Sequence, residues 1–203
     1  MASFVLNGKP VDVSDSHPHL LSALREELGV TSPKDGCSPS GQCGCCTVLV
    51  DGKASISCQL SLARVEGKSL LTLEGLEDAE RERFATAFAA AGALQCGFCT
   101  PGILVRVKAL LDKKGSGLTR EDASRHLGAH LCRCTGYKKI LDAVELLAAG
   151  SVAQATPPTG VGTRGVKYEA PELALGDRGY VDDLRVDHMA HAALRLSDHA
   201  RAE

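Results

Sequence analysis

The sequence predicts an α+β protein: a small mixed sheet unit over residues 1–75, then a bundle of helices over residues 76–149. Three observations carry this. Short apolar and β-branched runs separated by turn dipeptides fill the first part. Helical composition and spacing take over beyond residue 76. Eight of the nine cysteines fall into two sets of four, one set in each part.

The elements follow in order. Phe4-Val5-Leu6 and Val11-Asp12-Val13 flank Asn7-Gly8, a strong two-residue hairpin signal. His19–Leu28 places Leu20, Leu21, Leu24 and Leu28 on one helical face, and Gly29 stops it. Thr47–Val50 is a β-branched run that turns at Asp51-Gly52 into a strand near Ala54–Ser57, and Leu70–Leu73 supplies one more strand. Helices are expected at Asp78–Ala91, Thr100–Lys113, Thr119–Leu127 and Thr135–Ala149, with Gly115-Ser116-Gly117 parting the second from the third. Four short helices with short connections make a bundle. Residues 150–165 are small, Pro-rich and nearly uncharged, and read as an extended linker. Residues 166–203 are too few to bury a core alone, hold strand-like pieces at Tyr180-Val181 and Met189–Leu196, and must lean on something else.

Composition narrows the function. Hydrophobic residues make up 44% of the chain, yet four Phe, three Tyr and no Trp leave the cores to Leu, Val, Ile and Ala. A net charge of −2 offers no basic surface for nucleic acid or anionic lipid. No apolar run reaches the ~18–20 residues that span a bilayer. The opening residues lack the basic and apolar regions of a signal peptide, so a cytoplasmic location is expected. An odd cysteine count in a reducing compartment points to metal ligation rather than a secreted disulfide framework.

The first set is Cys37, Cys43, Cys46 and Cys58, spaced C-x5-C-x2-C-x11-C. Three thiolates from one loop and a fourth from a nearby strand is the arrangement of a plant-type [2Fe-2S] site, in which two bridged irons take two thiolates each. Such a loop needs unusual backbone angles, which Gly36, Gly41 and Gly44 tolerate. Zinc is the alternative metal, although its sites usually present paired short knuckles. Cys45 is left over. Cys45 and Cys46 cannot both aim at one iron without strain, so Cys43-x2-Cys46 is the expected ligand step, with the exchange of Cys45 for Cys46 left open.

The second set is Cys96, Cys99, Cys132 and Cys134. Thr100-Pro101 after Cys99 reads as an N-cap and a first-turn proline, and Thr135 after Cys134 as a second cap. Helix N-termini favour thiolates and an anionic cluster. A thioredoxin-like dithiol at Cys96-Gly97-Phe98-Cys99 is the competing interpretation, but it wants a βαβ setting and leaves Cys132 and Cys134 without a role.

Other signals carry less. Gly160–Gly165 matches G-x-G-x-x-G but lacks the strand and helix of a dinucleotide site. His126 and His130 lie four apart, without the Glu of a zinc helix, so a solvated or capping role is expected. Asp182-Asp183 reads as a surface acidic pair. No Ser/His/Asp or Cys/His grouping suggests nucleophilic catalysis.

GCSPSGQCGCCTVLVDG and QCGFCTPG…HLCRCTGYKKI together resemble the iron–sulfur subunit of the molybdenum hydroxylases, the group of xanthine dehydrogenases, aldehyde oxidoreductases and aerobic CO dehydrogenases. The likeness covers residues 3–149. It implies an N-terminal β-grasp ferredoxin-like domain and a four-helix-bundle domain, each with a [2Fe-2S] cluster. It assigns Cys37, Cys43, Cys46 and Cys58 to an outer cluster facing a flavin (FAD) subunit. Cys96, Cys99, Cys132 and Cys134 would hold an inner cluster beside a molybdopterin (Mo) cofactor on the catalytic subunit. Gln95 stands where the family has a Gln that bonds the pterin, and Cys134 where a ligand sulfur approaches the pterin amino group. Two departures are visible: five residues rather than four part Cys37 from Cys43, and Cys45 replaces a small residue. Residues 166–203 resemble the first strands of the large molybdenum-binding subunit, so the chain reads as an iron–sulfur subunit joined to the start of its partner, or as a chain cut short.

The sequence therefore predicts an electron-transfer subunit of a xanthine dehydrogenase-like oxidoreductase, part of a heteromeric assembly, with the substrate site on another chain. A free-standing two-cluster carrier or a metal-stapled adaptor is the alternative.

Overall fold

In the computed structural model, residues 1–150, 159–163 and 165–201 are described. The chain opens on β1 (Ala2–Leu6) and β2 (Lys9–Val13), joined by Asn7 at φ 50° and Gly8 at φ 79°. Two consecutive positive φ values give the turn twist that lets Ala2 face Val13 and Leu6 face Lys9. Ala2, Phe4 and Leu6 point inward while Ser3 and Val5 point out, the alternation of a half-buried strand.

β3 (Thr47–Val50) and β4 (Lys53–Ile56) form the second hairpin, and β5 (Ser69–Leu71) lies between the two, parallel to β1 and antiparallel to β3. The strand order is β2-β1-β5-β3-β4. α1 (Leu20–Ser22) is capped by His19, whose Nδ1 accepts from Ser22 N–H at 3.1 Å. It runs on into a π-helical turn, Ala23–Glu27, stopped by Gly29 at φ 66°. Leu20, Ala23 and Leu24 pack on Phe4, Leu6, Val48 and Leu70, which forms the first core. Leu49 faces the other way and joins the helical core, so β3 is shared between two layers.

α2 (Asp78–Ala91), α3 (Thr100–Lys114), α4 (Arg120–Leu127) and α5 (Lys138–Ala149) enclose Phe84, Phe88, Ile103, Leu104, Leu127, Ile140 and Val144. α4 carries a full capping box: Thr119 and Asp122 bond each other's backbone N–H.

Several expectations shift. β5 ends at Leu71, because Leu73–Gly75 tightens into a 3₁₀ turn. Cys99, not Thr100, is the N-cap of α3, with no side-chain capping bond. α5 begins at Lys138 rather than Thr135, since Gly136 and Tyr137 take left-handed φ of 64° and 66°. Thr135 caps nothing; its hydroxyl meets Cys132 Sγ at 3.0 Å and accepts from Tyr137 N–H at 3.2 Å.

The predicted linker falls largely on 151–158 and 164, outside the described residues. The tail holds a helix that the sequence did not signal, α6 (Ala170–Leu175), whose Leu173, Ala174 and Leu175 are buried against α2 and α3. Val181–Asp183 is a 3₁₀ turn rather than a strand, and residues 189–196 are irregular, with Leu194 and Leu196 exposed. A strand needs a ladder partner, and among the described residues the sheet pairs β1 to β5 alone.

Candidate metal centres

The first four cysteines come together because the 37–46 loop curls on itself. Ser38 at φ 48°, Gly41 at φ 73° and Gly44 at φ 71° supply left-handed backbone in quick succession. Gly41 is needed for room as well, since a Cβ there would stand 2.6 Å from Gln59 Cγ, beside Cys58. Cys37 is partly exposed, while Cys43, Cys46 and Cys58 are buried. Burial opposes ionisation of Cys37, but the Ser40 hydroxyl and the Cys43 and Gln42 N–H groups prevail and pull its thiol down to about 6. Burial pushes Cys43 up and Cys46 up to about 12.

The second four come from two loops. Cys99 begins α3 and Cys96 precedes it across Gly97 at φ 80°. The other loop, Ala129–Thr135, is pinned by Tyr137, whose hydroxyl accepts from Cys132 N–H and donates to His130 O, both at 2.8 Å. Burial raises Cys96 and Cys99. At Cys132 burial is overcome by the Thr135 hydroxyl and N–H and by the Cys134 N–H, which lower its thiol. Cys96 and Cys134 are exposed at one edge, and there Gln95 Nε2 donates to Cys134 O at 3.0 Å.

The sulfur spacing tests the fit to iron. Tetrahedral metal–thiolate bonds of about 2.3 Å set two sulfurs on one metal roughly 3.8 Å apart. Cys96 Sγ and Cys134 Sγ lie 3.7 Å apart. Cys46 and Cys58 pack together in one buried cluster, Cys99 and Cys132 line one cavity with Cys96, and Cys37 packs on the core that holds Cys43. The Cys96–Cys134 spacing fits two thiolates on one metal, two such pairs being what a bridged two-iron cluster requires. Among the described residues, no three His, Cys, Asp or Glu side chains are grouped to hold a single ion. Cys45 Sγ donates to Cys43 O at 3.7 Å, and Cys45 lines the same cavity as Cys99 of the other set.

The two loops are packed on each other. A Cβ on Gly102, in the first turn of α3, would meet Gly44 O at 2.4 Å and Cys45 O at 2.9 Å, so glycine there permits backbone contact. Leu131 N–H donates to Cys43 O at 2.8 Å. His130 lies at the same junction. The Thr47 hydroxyl donates to Gly44 O at 2.7 Å and so accepts from His130 Nε2–H at 3.1 Å. Burial and the nearby Arg106 hold His130 neutral, its pKa near 4. The solvated role expected for His130 is therefore wrong, although His126 does sit on the surface, bonded to Asp122 O. A cavity of about 190 Å³ remains between the sets, lined by Gly36, Cys43, Cys45, Phe98, Cys99 and Cys132 among others.

Asp183 also departs from expectation. It is no surface acid: its carboxylate meets Arg25 at 2.5 Å and Lys34 at 3.1 Å, and all three are largely buried. Tyr180 and Asp183 carry no sequence signal that would have placed them beside the cysteines. Gly160–Thr163 is a turn closed by the Thr163 hydroxyl donating to Gly160 O at 2.7 Å.

Residues 72–145 match the [2Fe-2S] binding domain family. The chain is 43% identical over 141 residues to the nicotinate dehydrogenase small FeS subunit of Eubacterium barkeri, which takes in 68% of this chain and 88% of that one. It is equally similar, at 43% over 141 residues with the same coverage, to the xanthine dehydrogenase iron-sulfur-binding subunit of Escherichia coli O157:H7. The chain belongs to the iron–sulfur subunits of the molybdenum hydroxylases.

As such a subunit it is an electron-transfer component of an oxidoreductase and works with a catalytic partner. The aldehyde oxidoreductase of Desulfovibrio desulfuricans superposes with a TM-score of 0.80 at 35% identity. That likeness covers 90% of this chain but 22% of the larger one, so it extends beyond the two cysteine-bearing units into the tail. The subunit's sheet and helices share the α+β arrangement of that enzyme. No helix among the described residues is long and apolar enough to cross a membrane.

Proposed function

We propose that the chain relays electrons from a molybdenum-bearing catalytic subunit to a flavin-bearing one through two [2Fe-2S] clusters. Cys37, Cys43, Cys46 and Cys58 hold the outer cluster, and Cys96, Cys99, Cys132 and Cys134 the inner. The observation that carries this is the gathering of the two cysteine sets on either side of one packed junction, with the Cys96 and Cys134 sulfurs at the spacing of two thiolates on one metal. When bound, each cluster accepts and returns one electron.

The residues supply the setting. Left-handed backbone at Gly41 and Gly44 wraps the outer ligands, and Gly102 lets the outer loop touch the helix that begins at Cys99. Burial of Cys43, Cys46 and Cys99 excludes water from the buried side of each site. The inner site opens only at Cys96 and Cys134, where Gln95 is exposed and fits the pterin contact. Cys37, partly exposed, fits the flavin side.

In this reading residues 1–75 are a β-grasp ferredoxin-like domain, for which the order β2-β1-β5-β3-β4 is the supporting feature, and 76–149 a four-helix-bundle domain. Residues 150–165 link them to 166–203, the start of a molybdenum-binding subunit whose remainder docks on this tail. The setting is a cytoplasmic heteromer.

The test is iron and acid-labile sulfide on anaerobically purified protein, with EPR after dithionite reduction. Two clusters require four irons, four sulfides and two distinct signals; zinc, or a single signal, overturns the relay. In the assembled enzyme Gln95→Ala should slow reduction of the inner cluster by substrate with both clusters retained. Assembly unaffected by deletion of 166–203 would refute the docking role of the tail.

A further inference from the structure

The tail does more than lead away from the iron–sulfur units, because its first described helix and the turn after it lie across both. Leu173 packs so closely on Gly97 that a Cβ there would stand 2.9 Å from Leu173 Cβ. Gly176, at φ 80°, runs against Pro101 and Ser32. Arg81 of α2 grips the carboxylate of Asp177 through contacts of 3.0 and 3.1 Å.

The turn that follows places Tyr180 over the Cys96–Cys99 loop. Its hydroxyl donates to Cys96 O at 2.5 Å, and its ring meets Phe98 edge-on, centroids 5.2 Å apart. Lys34 Nζ lies over the ring, 5.1 Å from its centroid. The backbone of Tyr180 is held by Asp183, which accepts its N–H at 2.8 Å while meeting Arg25 and Lys34. Lys34 N–H in turn donates to Cys45 O at 3.1 Å. A continuous chain of contacts therefore links the outer ligand loop at Cys45 through Lys34, Asp183 and Tyr180 to the inner loop at Cys96.

We propose that Tyr180 is a positioning residue for the inner cluster, fixing the Cys96-Gly97-Phe98-Cys99 loop, and that Asp183 holds it there by bridging Arg25 and Lys34. Two of these contacts are hard to explain as packing alone. An aspartate and two cations are withdrawn from water together, which costs free energy unless the geometry serves a position. The phenol spends its one donor on the carbonyl of a cysteine whose sulfur is exposed. Gly97, at φ 80° and covered by Leu173, lets the loop turn tightly between its two cysteines, and Tyr180 ties the Cys96 end of that turn.

The proposal rests on Cys96 being a ligand, and its test separates the two. Full-length chain is reconstituted anaerobically, and the rate at which each cluster loses iron to a chelator is followed by EPR. The signal lost in Cys134→Ser identifies the inner cluster. Tyr180→Phe keeps the ring on Phe98 and removes the donor. It should speed iron loss from the inner cluster about fivefold, the ratio one net hydrogen bond supplies, and change that signal's line shape, with the outer cluster unaffected. Tyr180→Ala and Asp183→Asn should each exceed it. Equal acceleration at both clusters, or none at either, overturns the positioning role while two signals remain. A wild-type chain with one signal overturns the two-cluster reading itself.

Discussion

Gly102→Ala probes the junction between the two ligand loops with a single methyl group. In an exposed helix this change is favourable, by up to about 1 kcal/mol, since alanine loses less backbone freedom than glycine. Gly102 has ordinary helical backbone, so no strain offsets that gain. The new Cβ would however stand 2.4 Å from Gly44 O and 2.9 Å from Cys45 O, closer than real Cβ contacts come, and 3.0 Å from Cys45 C. These are backbone atoms of the first cysteine loop, tied by Cys43 O to Leu131 and by Cys45 O to Lys34. They cannot swing aside, so α3 and the loop must part. Overpacking of this kind costs typically 1–3 kcal/mol, which exceeds the helix gain. For a chain of this size the overpacking alone corresponds to a midpoint lowered by roughly 2–12 °C, which the helix gain offsets only in part. Thermal unfolding followed by circular dichroism, with cluster EPR on the same samples, is the assay. Gly117→Ala is the control: nothing lies within 4 Å of its Cβ position, and a slight rise is expected. A Gly102→Ala protein as stable as wild type, with both signals unaltered, would show that the two loops do not pack as described.

Thr47→Val keeps shape but leaves the buried His130 Nε2–H without its acceptor, which should destabilise the fold by about 1–3 kcal/mol in denaturant titrations; loss of under a few tenths would mean that the bond is not formed. Cys45→Ala should retain both clusters by iron analysis, whereas Cys46→Ala should lose the outer one, and the reverse result would exchange their roles. Asp122 is held down to about 2 by Lys114 and by the Thr119 hydroxyl and N–H. Because its folded value lies below the ordinary 3.8, its contribution is in force above pH 3.8 and fades as pH falls toward 2. Asp122→Asn should flatten stability over that acid window, and an unchanged acid limb would argue against the capping box as a source of it.

Local chemistry was legible early. Asn7-Gly8 and Asp51-Gly52 marked both hairpins because positive φ at consecutive residues is a property of the dipeptide itself. Thr119 marked the start of α4 because its cap lies within four residues. The Thr135 cap failed for a related reason: Gly136 and Tyr137 turn left-handed, and the hydroxyl goes to Cys132 instead. α6 was invisible, because six residues carry too little periodicity and it is the groove between α2 and α3 that makes them a helix.

The family of this subunit was carried in the chain as spacing: eight thiols in two sets of four, with glycines at the bends, need no distant residue to be noticed. Which sulfurs pair was a different matter. Cys96 meets Cys134 across 38 residues because α3 and the Ala129–Thr135 loop are packed against each other. The same holds for His130, which joins Thr47 across 83 residues, and for Asp183, which joins Arg25 across 158. Such contacts depend on burial and on the desolvation that makes an unpartnered group costly. Neither burial nor distant partnership is a property of any local stretch of sequence, so these came only from the folded chain.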